Sequence, residues 1–140
     1  MPEPIKVLYL IERLARAGTE LHLVRLLERL DRDRFQPVLC CLNGEQTDRD
    51  LIPGDVPFHH LGAPWNLVSP ALVGVCRRLG ELLRRERPDV LHTFLFVSNV
   101  LGPFAARRAG APAVVMSRGR MGIEWQAHGL HRLAQRAANR

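Results

Sequence analysis

The sequence predicts an α/β domain: a doubly wound, Rossmann-like parallel sheet of about five strands with helices on both faces. Two observations carry that prediction. Short apolar runs alternate with longer stretches whose apolar residues recur at helical spacing, the order expected when each strand is followed by a crossover helix. The runs are apolar at consecutive positions rather than at every second one, as strands buried on both faces must be. Composition agrees with a single domain over 1–140. With 140 residues, 46% hydrophobic and 24% charged, the chain can bury roughly two-thirds of its unfolded surface.

The first unit is the most informative. Residues Ile5–Ile11 form an apolar run interrupted at Lys6, a flexible loop follows and ends at Gly18, and an amphipathic helix opens at Thr19. A helix N-terminus delivered by a buried strand presents unpaired N–H groups and partial positive charge, which suits a phosphate. The dinucleotide pattern G-x-G-x-x-G is absent, so the same residues also read as the plain opening of any α/β domain.

The later elements follow in turn. Residues 36–42 (QPVLCCL) read as a second buried strand after an Asp- and Arg-rich turn. Residues 43–57 are polar and broken by Gly44, Pro53, Gly54 and Pro57, hence irregular or a very short helix at best. Residues 58–61 make a short third strand. Ser69 and Pro70 supply an N-cap and a first helical residue. The helix then runs to about Arg87, with Leu72, Val75, Cys76, Leu79, Leu82 and Leu83 on one stripe, and Pro88 stops it. Residues 89–94 (DVLHTF) are the fourth strand, 98–109 a helix closed by Gly110, 113–117 (AVVMS) the fifth strand, and 123–139 a final helix. Right-handed crossovers place ligands at the carboxyl ends of such strands, and His92 is read as ending the fourth.

Charge narrows the function classes. The net charge is +6, and Lys6 is the single lysine among 20 basic residues. Arginine favours phosphate and carboxylate, so anionic partners are admitted without being chosen. No zinc pattern, recognition helix or aromatic interleaving supports nucleic acid. No run approaches the roughly 20 apolar residues of a membrane span. The strand begins too soon after Met1 to leave room for a signal peptide, so a cytoplasmic location is expected. Cys40, Cys41 and Cys76 form no C-x-x-C and read as buried thiols. His59 and His60 are strand neighbours facing opposite ways, and His128 and His131 lack a cysteine or carboxylate partner, so no metal site is expected. A receiver or flavodoxin-like domain is disfavoured, because no acidic cluster is evident at the end of the first strand and no phosphate-loop Ser/Thr pattern follows it.

Four segments carry a more specific signal. They are Ala17-Gly18-Thr19-Glu20, then Arg87-Pro88-Asp89-Val90-Leu91-His92, then Ser98-Asn99-x-x-Gly102 with Ala105-Ala106-Arg107, and finally Pro112-Ala113-Val114-Val115 leading to Ser117-Arg118-Gly119. In this order, across nearly the whole chain, they resemble the N-terminal half of retaining family-4 glycosyltransferases, which have the two-domain GT-B fold. In that family the N-terminal domain shapes the acceptor side of a cleft and the C-terminal domain holds the nucleotide-sugar. The resemblance implies transfer of a hexose from a nucleoside-diphosphate sugar to a glycan, lipid or small-molecule acceptor. Configuration is retained, with no metal and no cofactor besides the sugar nucleotide as co-substrate.

By the same resemblance, Gly18 and Thr19 face the reacting sugar and diphosphate, and His92 and Arg118 line the acceptor side. From its own chemistry, the Asn99 amide at the start of a helix suits a sugar hydroxyl, and the Trp65 ring in its loop suits stacking on an acceptor. Plainer readings stand beside these: a hydrogen-bonded core histidine, an ordinary polar residue opening a helix, and a loop tryptophan packed on its own domain. Ala17 occupies a position where many relatives carry glycine, and Arg118 one where many carry histidine. An arginine stays protonated and is no general base, but it holds phosphate. The family's C-terminal Glu-x7-Glu has no place here. Glu20 and Glu28 share that spacing on the wrong helix, where Glu20 complements the helix terminus and Glu28 pairs with Arg32.

The resemblance therefore implies an incomplete acceptor-side domain, inactive alone, with the donor-binding domain absent. The alternative is a non-catalytic binding or interaction module, or one subunit of a split transferase, completed by self-association or by a C-terminal-domain partner. Arg77, Arg78, Arg84 and Arg85, opposite the apolar stripe of their helix, suit either an anionic membrane surface or a plain solvated face. Location peripheral to a membrane fits the first of these.

Overall fold

The computed structural model describes residues 2–64, 69–111 and 113–117. Strand β1 (Ile5–Ile11) leads to helix α1 (Gly18–Arg29), then to β2 (Phe35–Cys41), a single short helical turn (Arg49–Leu51) and β3 (Phe58–His60). Helix α2 (Ala71–Glu86), β4 (Val90–Phe94), α3 (Phe96–Ala109) and β5 (Val114–Ser117) complete the described chain. Every pairing is parallel and the strand order is β3-β2-β1-β4-β5. The chain thus winds outward from β1, crosses back through α2, and winds the other way from β4. This is the doubly wound, Rossmann-like sheet expected from the sequence. The expected helix over 123–139 lies outside the described residues.

The apolar runs have a simple cause. Leu8, Leu10, Val38, Cys40 and Leu91 point to one side of the sheet, where they meet Val75, Leu79, Leu82 and Leu83 of α2 and Ala105 and Ala106 of α3. Val7, Tyr9, Ile11, Leu39, Cys41 and Phe94 point to the other and meet Leu23, Val24 and Leu27 of α1. With both faces covered, neighbouring positions are apolar alike, and each buried leucine contributes about 1.5–3 kcal/mol. Gly102 permits a close helix–sheet approach: a Cβ built there would lie 2.5 Å from Thr93 Cγ2.

The Arg-Pro-Asp segment works at the amino ends of the strands. Pro88 follows α2, and Arg87 closes the helix in the left-handed region at φ 48°. Asp89 accepts a hydrogen bond from the Lys6 amide through Oδ2 at 2.8 Å, and its own amide donates to the Lys6 carbonyl at 2.8 Å. Lys6 Nζ reaches Glu86 at 2.8 Å, and His59 Nε2 meets the same carboxylate at 3.0 Å. This clamp sets β4 on β1, at the opposite edge of the sheet from the ligand side.

One expected pair does not form. Arg32 forks onto Asp55, with Nε at 2.7 Å and Nη2 at 3.2 Å, instead of meeting Glu28. Helix α1 ends at Arg29, so Arg32 lies beyond the last turn and i,i+4 geometry no longer applies. Among the described residues no helix is long and apolar enough to cross a membrane.

Candidate functional site

The strand order reverses between β1 and β4, so the crevice at their carboxyl ends is where this topology seats ligands. The loop after β1 is tied down there, against the expectation of a flexible one. The Leu14 amide donates to Thr47 Oγ1 at 3.3 Å, and the Asp48 amide donates to the Leu14 carbonyl at 2.8 Å. Arg13 Nη1 donates to Gln46 Oε1 at 2.9 Å, and Arg16 pairs with Asp48 at 3.3 Å.

Helix α1 opens at Gly18, one residue earlier than expected, behind an extended Ala17 whose methyl cannot cap it. No side chain at the cap position therefore takes an amide of the first turn. A Cβ built on Gly18 meets nothing within 4 Å. The packing of the described residues does not require glycine there. Thr19 is half-buried next to it.

Two carboxylates flank this terminus, and sequence reasoning passed over the first. Glu12 directly follows β1, and its Oε1 accepts a hydrogen bond from the Val97 amide in the first turn of α3 at 2.7 Å. Burial pushes the Glu12 carboxyl above its usual range; the Val97 amide and Arg13 oppose that, and the negative charge of Glu20 adds to it. Glu20 itself is buried in the first turn of α1. An acidic residue immediately after a buried strand was the available signal for Glu12. Between β4 and α3, Leu95 takes φ 70° and ψ 173°, a backbone region close to glycine-only. The two helix termini at the crevice are therefore unlike: α3 is occupied by a carboxylate, whereas α1 carries no side-chain cap.

His92 does not end β4 but lies two residues before its end, since Phe94 is the last residue. It faces the α1 side, stacked on Phe94 with ring centroids 4.4 Å apart and 5.5 Å from Tyr9. The ring still reaches the carboxyl edge, because Nε2 is hydrogen-bonded to Ser117 Oγ at 2.7 Å. Burial, with a smaller contribution from His22, holds the imidazole below its ordinary range and thus neutral at pH 7.

Asn99 sits on the opposite face, buried. Its Oδ1 accepts from Thr93 Oγ1 at 2.7 Å and its Nδ2 donates to the Ser117 carbonyl at 3.1 Å. Trp65 and Arg118 lie outside the described residues, as do His128 and His131. Arg77, Arg78, Arg84 and Arg85 are exposed on α2, with Arg84 Nη2 donating to the Arg108 carbonyl at 3.3 Å. Among the described residues no group of three or more His, Cys, Asp or Glu side chains is arranged to hold a metal ion. The structure thus bonds Glu12 to the start of α3, within electrostatic reach of Glu20 on α1, and bonds His92 to Ser117.

A family model described as a glycosyl transferase 4-like domain matches residues 7–140. No curated protein sequence matches the chain. Among solved structures, a UDP-N-acetylglucosamine 2-epimerase superposes with a TM-score of 0.65 at 15% identity, over 96% of this chain and 39% of that one. The lipopolysaccharide outer core galactosyltransferase WaaB, in its apo form, gives a TM-score of 0.62 at 13% identity, over 80% and 32%. Phytolacca americana UGT2, complexed with UDP-2-fluoro-glucose and pterostilbene, gives 0.53 at 16%, over 92% and 38%. At such identities the likeness is one of fold. The chain spans about a third to two-fifths of the length of these proteins.

Proposed function

The chain belongs to the glycosyl transferase 4-like family, and on that premise we propose that it forms the acceptor side of a GT-B cleft. There a hexose passes from a nucleoside-diphosphate sugar to a hydroxyl of a glycan, lipid or small molecule, with retention and without a metal. The observation that carries this reading is the α1 terminus at Gly18: Ala17 at the cap position supplies no side-chain hydrogen bond, a Cβ on Gly18 would meet nothing within 4 Å, and the terminus stands at the strand-order reversal. Structural neighbours solved with UDP-GlcNAc or UDP-2-fluoro-glucose bound share the fold, which supports a sugar nucleotide as the donor. An epimerase is among them, so fold alone does not choose transfer; the family match favours it.

Each residue has a role in this reading. The amides at Gly18 and Thr19 meet the diphosphate, whose departing oxygen keeps the electron pair of the broken bond to the anomeric carbon. The acceptor oxygen bonds that carbon from the same face, and its proton passes to the departing oxygen. Neutral His92 orients the acceptor hydroxyl, and Arg118 holds an acceptor phosphate or the leaving diphosphate. A donor-binding half completes the cleft. The exposed arginines of α2, with Val73 also exposed one turn from Arg77, suit an anionic lipid surface on which a lipid acceptor is presented.

The test mixes the chain with a donor-binding half as a second polypeptide and follows labelled hexose from UDP-glucose onto lipid and glycan acceptors. Product that requires both polypeptides, and that falls when His92 is replaced by alanine, supports the reading. Stable association of the halves with bound donor but no product on any acceptor overturns it in favour of an interaction module.

A further inference from the structure

We infer that Asn99 and Ser117 are positioning residues: together they hold the His92 imidazole in one orientation and one tautomer from the far side of the sheet. The inference rests on the reading of His92 as the group that meets the acceptor hydroxyl, and it adds how that group is aimed.

The chain of contacts begins in the helix. Gly102 lets α3 sit against Thr93, since any Cβ there would lie 2.5 Å from Thr93 Cγ2. At that separation the Asn99 side chain, one turn earlier, reaches β4 and β5 at once. Thr93 Oγ1 donates to Asn99 Oδ1 at 2.7 Å and fixes which way the amide points. Nδ2 then donates to the Ser117 carbonyl at 3.1 Å. Thr93 is 0% exposed and Asn99 6%, so these bonds lie in a low-dielectric interior where they are strong and where losing one partner is costly.

Ser117 needs such a strut. It is the last residue of β5, a four-residue strand that among the described residues bonds to β4 alone, and its pairing with Phe94 closes the ladder. The strand is poorly covered, with Val115 47% exposed, so its end would fray without a second anchor. Asn99 supplies that anchor on the backbone, and the Ser117 hydroxyl on the other face meets His92 Nε2 at 2.7 Å. The hydroxyl suits either tautomer, donating to a bare Nε2 or accepting from a protonated one, and holding ring and hydroxyl in place keeps one of the two. Among the described residues, Tyr9 from β1, Phe94 along β4 and His22 from α1 also face His92. The Tyr9 and Phe94 rings pack against the imidazole, and neither supplies an ionised partner at neutral pH.

The test is long-range proton–nitrogen NMR of the imidazoles in the 15N-labelled 140-residue chain, recorded across a pH series. Wild-type His92 should show the two well-separated nitrogen shifts of a single neutral tautomer. Ser117→Ala should collapse them toward the averaged values of a free imidazole, and Ser117→Thr, which keeps the hydroxyl, should restore them. Asn99→Ala should produce the same collapse although it never touches the ring. If Asn99→Ala does not fold, Thr93→Val removes the amide's anchor while keeping its shape, and should act likewise. Averaged shifts in the wild type, or unchanged His92 shifts in folded Asn99→Ala or Thr93→Val, would overturn the inference. No donor or acceptor enters the measurement, so its failure is separable from failure of the transfer assay.

Discussion

Replacing Gly18 with alanine separates a glycine kept for a ligand from one kept for the fold. The added methyl meets nothing within 4 Å in the domain, and the position is the first residue of α1. With no clash, alanine restricts the unfolded chain more than the folded one and should stabilise by about 0.4–1 kcal/mol. For a domain of this size that raises the melting temperature by roughly 1–4 °C. The same methyl stands beside the helix terminus and should keep a diphosphate from approaching the amides. Calorimetry with inorganic pyrophosphate and UDP-glucose should then show affinity reduced by about tenfold or more, equivalent to ~1.4 kcal/mol. The two effects have opposite signs, which makes the pair diagnostic. A fall in melting temperature of several degrees would show that the fold itself requires glycine there. Unchanged affinity for both probes would show that the diphosphate does not sit at this terminus.

Three further outcomes follow from the packing and electrostatics of the domain. Gly102→Ala forces α3 off β4 at a 2.5 Å contact with Thr93 and should destabilise by about 1–3 kcal/mol in urea unfolding. Glu12→Gln should flatten the acid-range stability profile. The folded-state value of Glu12 is raised by burial, so its contribution is complete below the unfolded value and is lost as pH rises through the folded one. Urea midpoints measured on both proteins from pH 4 to 8 should therefore converge toward acid and diverge toward neutral, with the wild type the weaker. Cys41, pushed up to about 11 by burial, should have a thiolate fraction about a hundredfold below that of a thiol at 9. It should resist alkylation at pH 8 until denaturant is added, and wild-type stability should decline as pH climbs from about 9 toward 11.

The sequence by itself determined the class of this fold, because burial on both faces writes consecutive apolar residues into a parallel strand, and burial on one face writes a stripe into a helix. The run Ile5–Ile11 and the stripe from Leu72 to Leu83 were legible for that reason, as were the stops at Pro88 and Gly110. Gly18 was legible as well, since a glycine before an amphipathic pattern marks a loop reaching a helix. What the sequence did not reveal are the polar contacts. Glu12 and Val97 stand 85 positions apart, His92 and Ser117 25, and Asn99 and Ser117 18. Periodicity reports which face of an element is covered but not which polar atom of a distant element ends within 3 Å of another. Only the tertiary structure decided that one helix terminus carries a carboxylate while its neighbour lacks a side-chain cap, and that a buried asparagine anchors the strand end whose serine meets His92. Those distances depend on how closely α3 seats on β4, which is fixed by one missing methyl at Gly102 and by the register of the whole sheet.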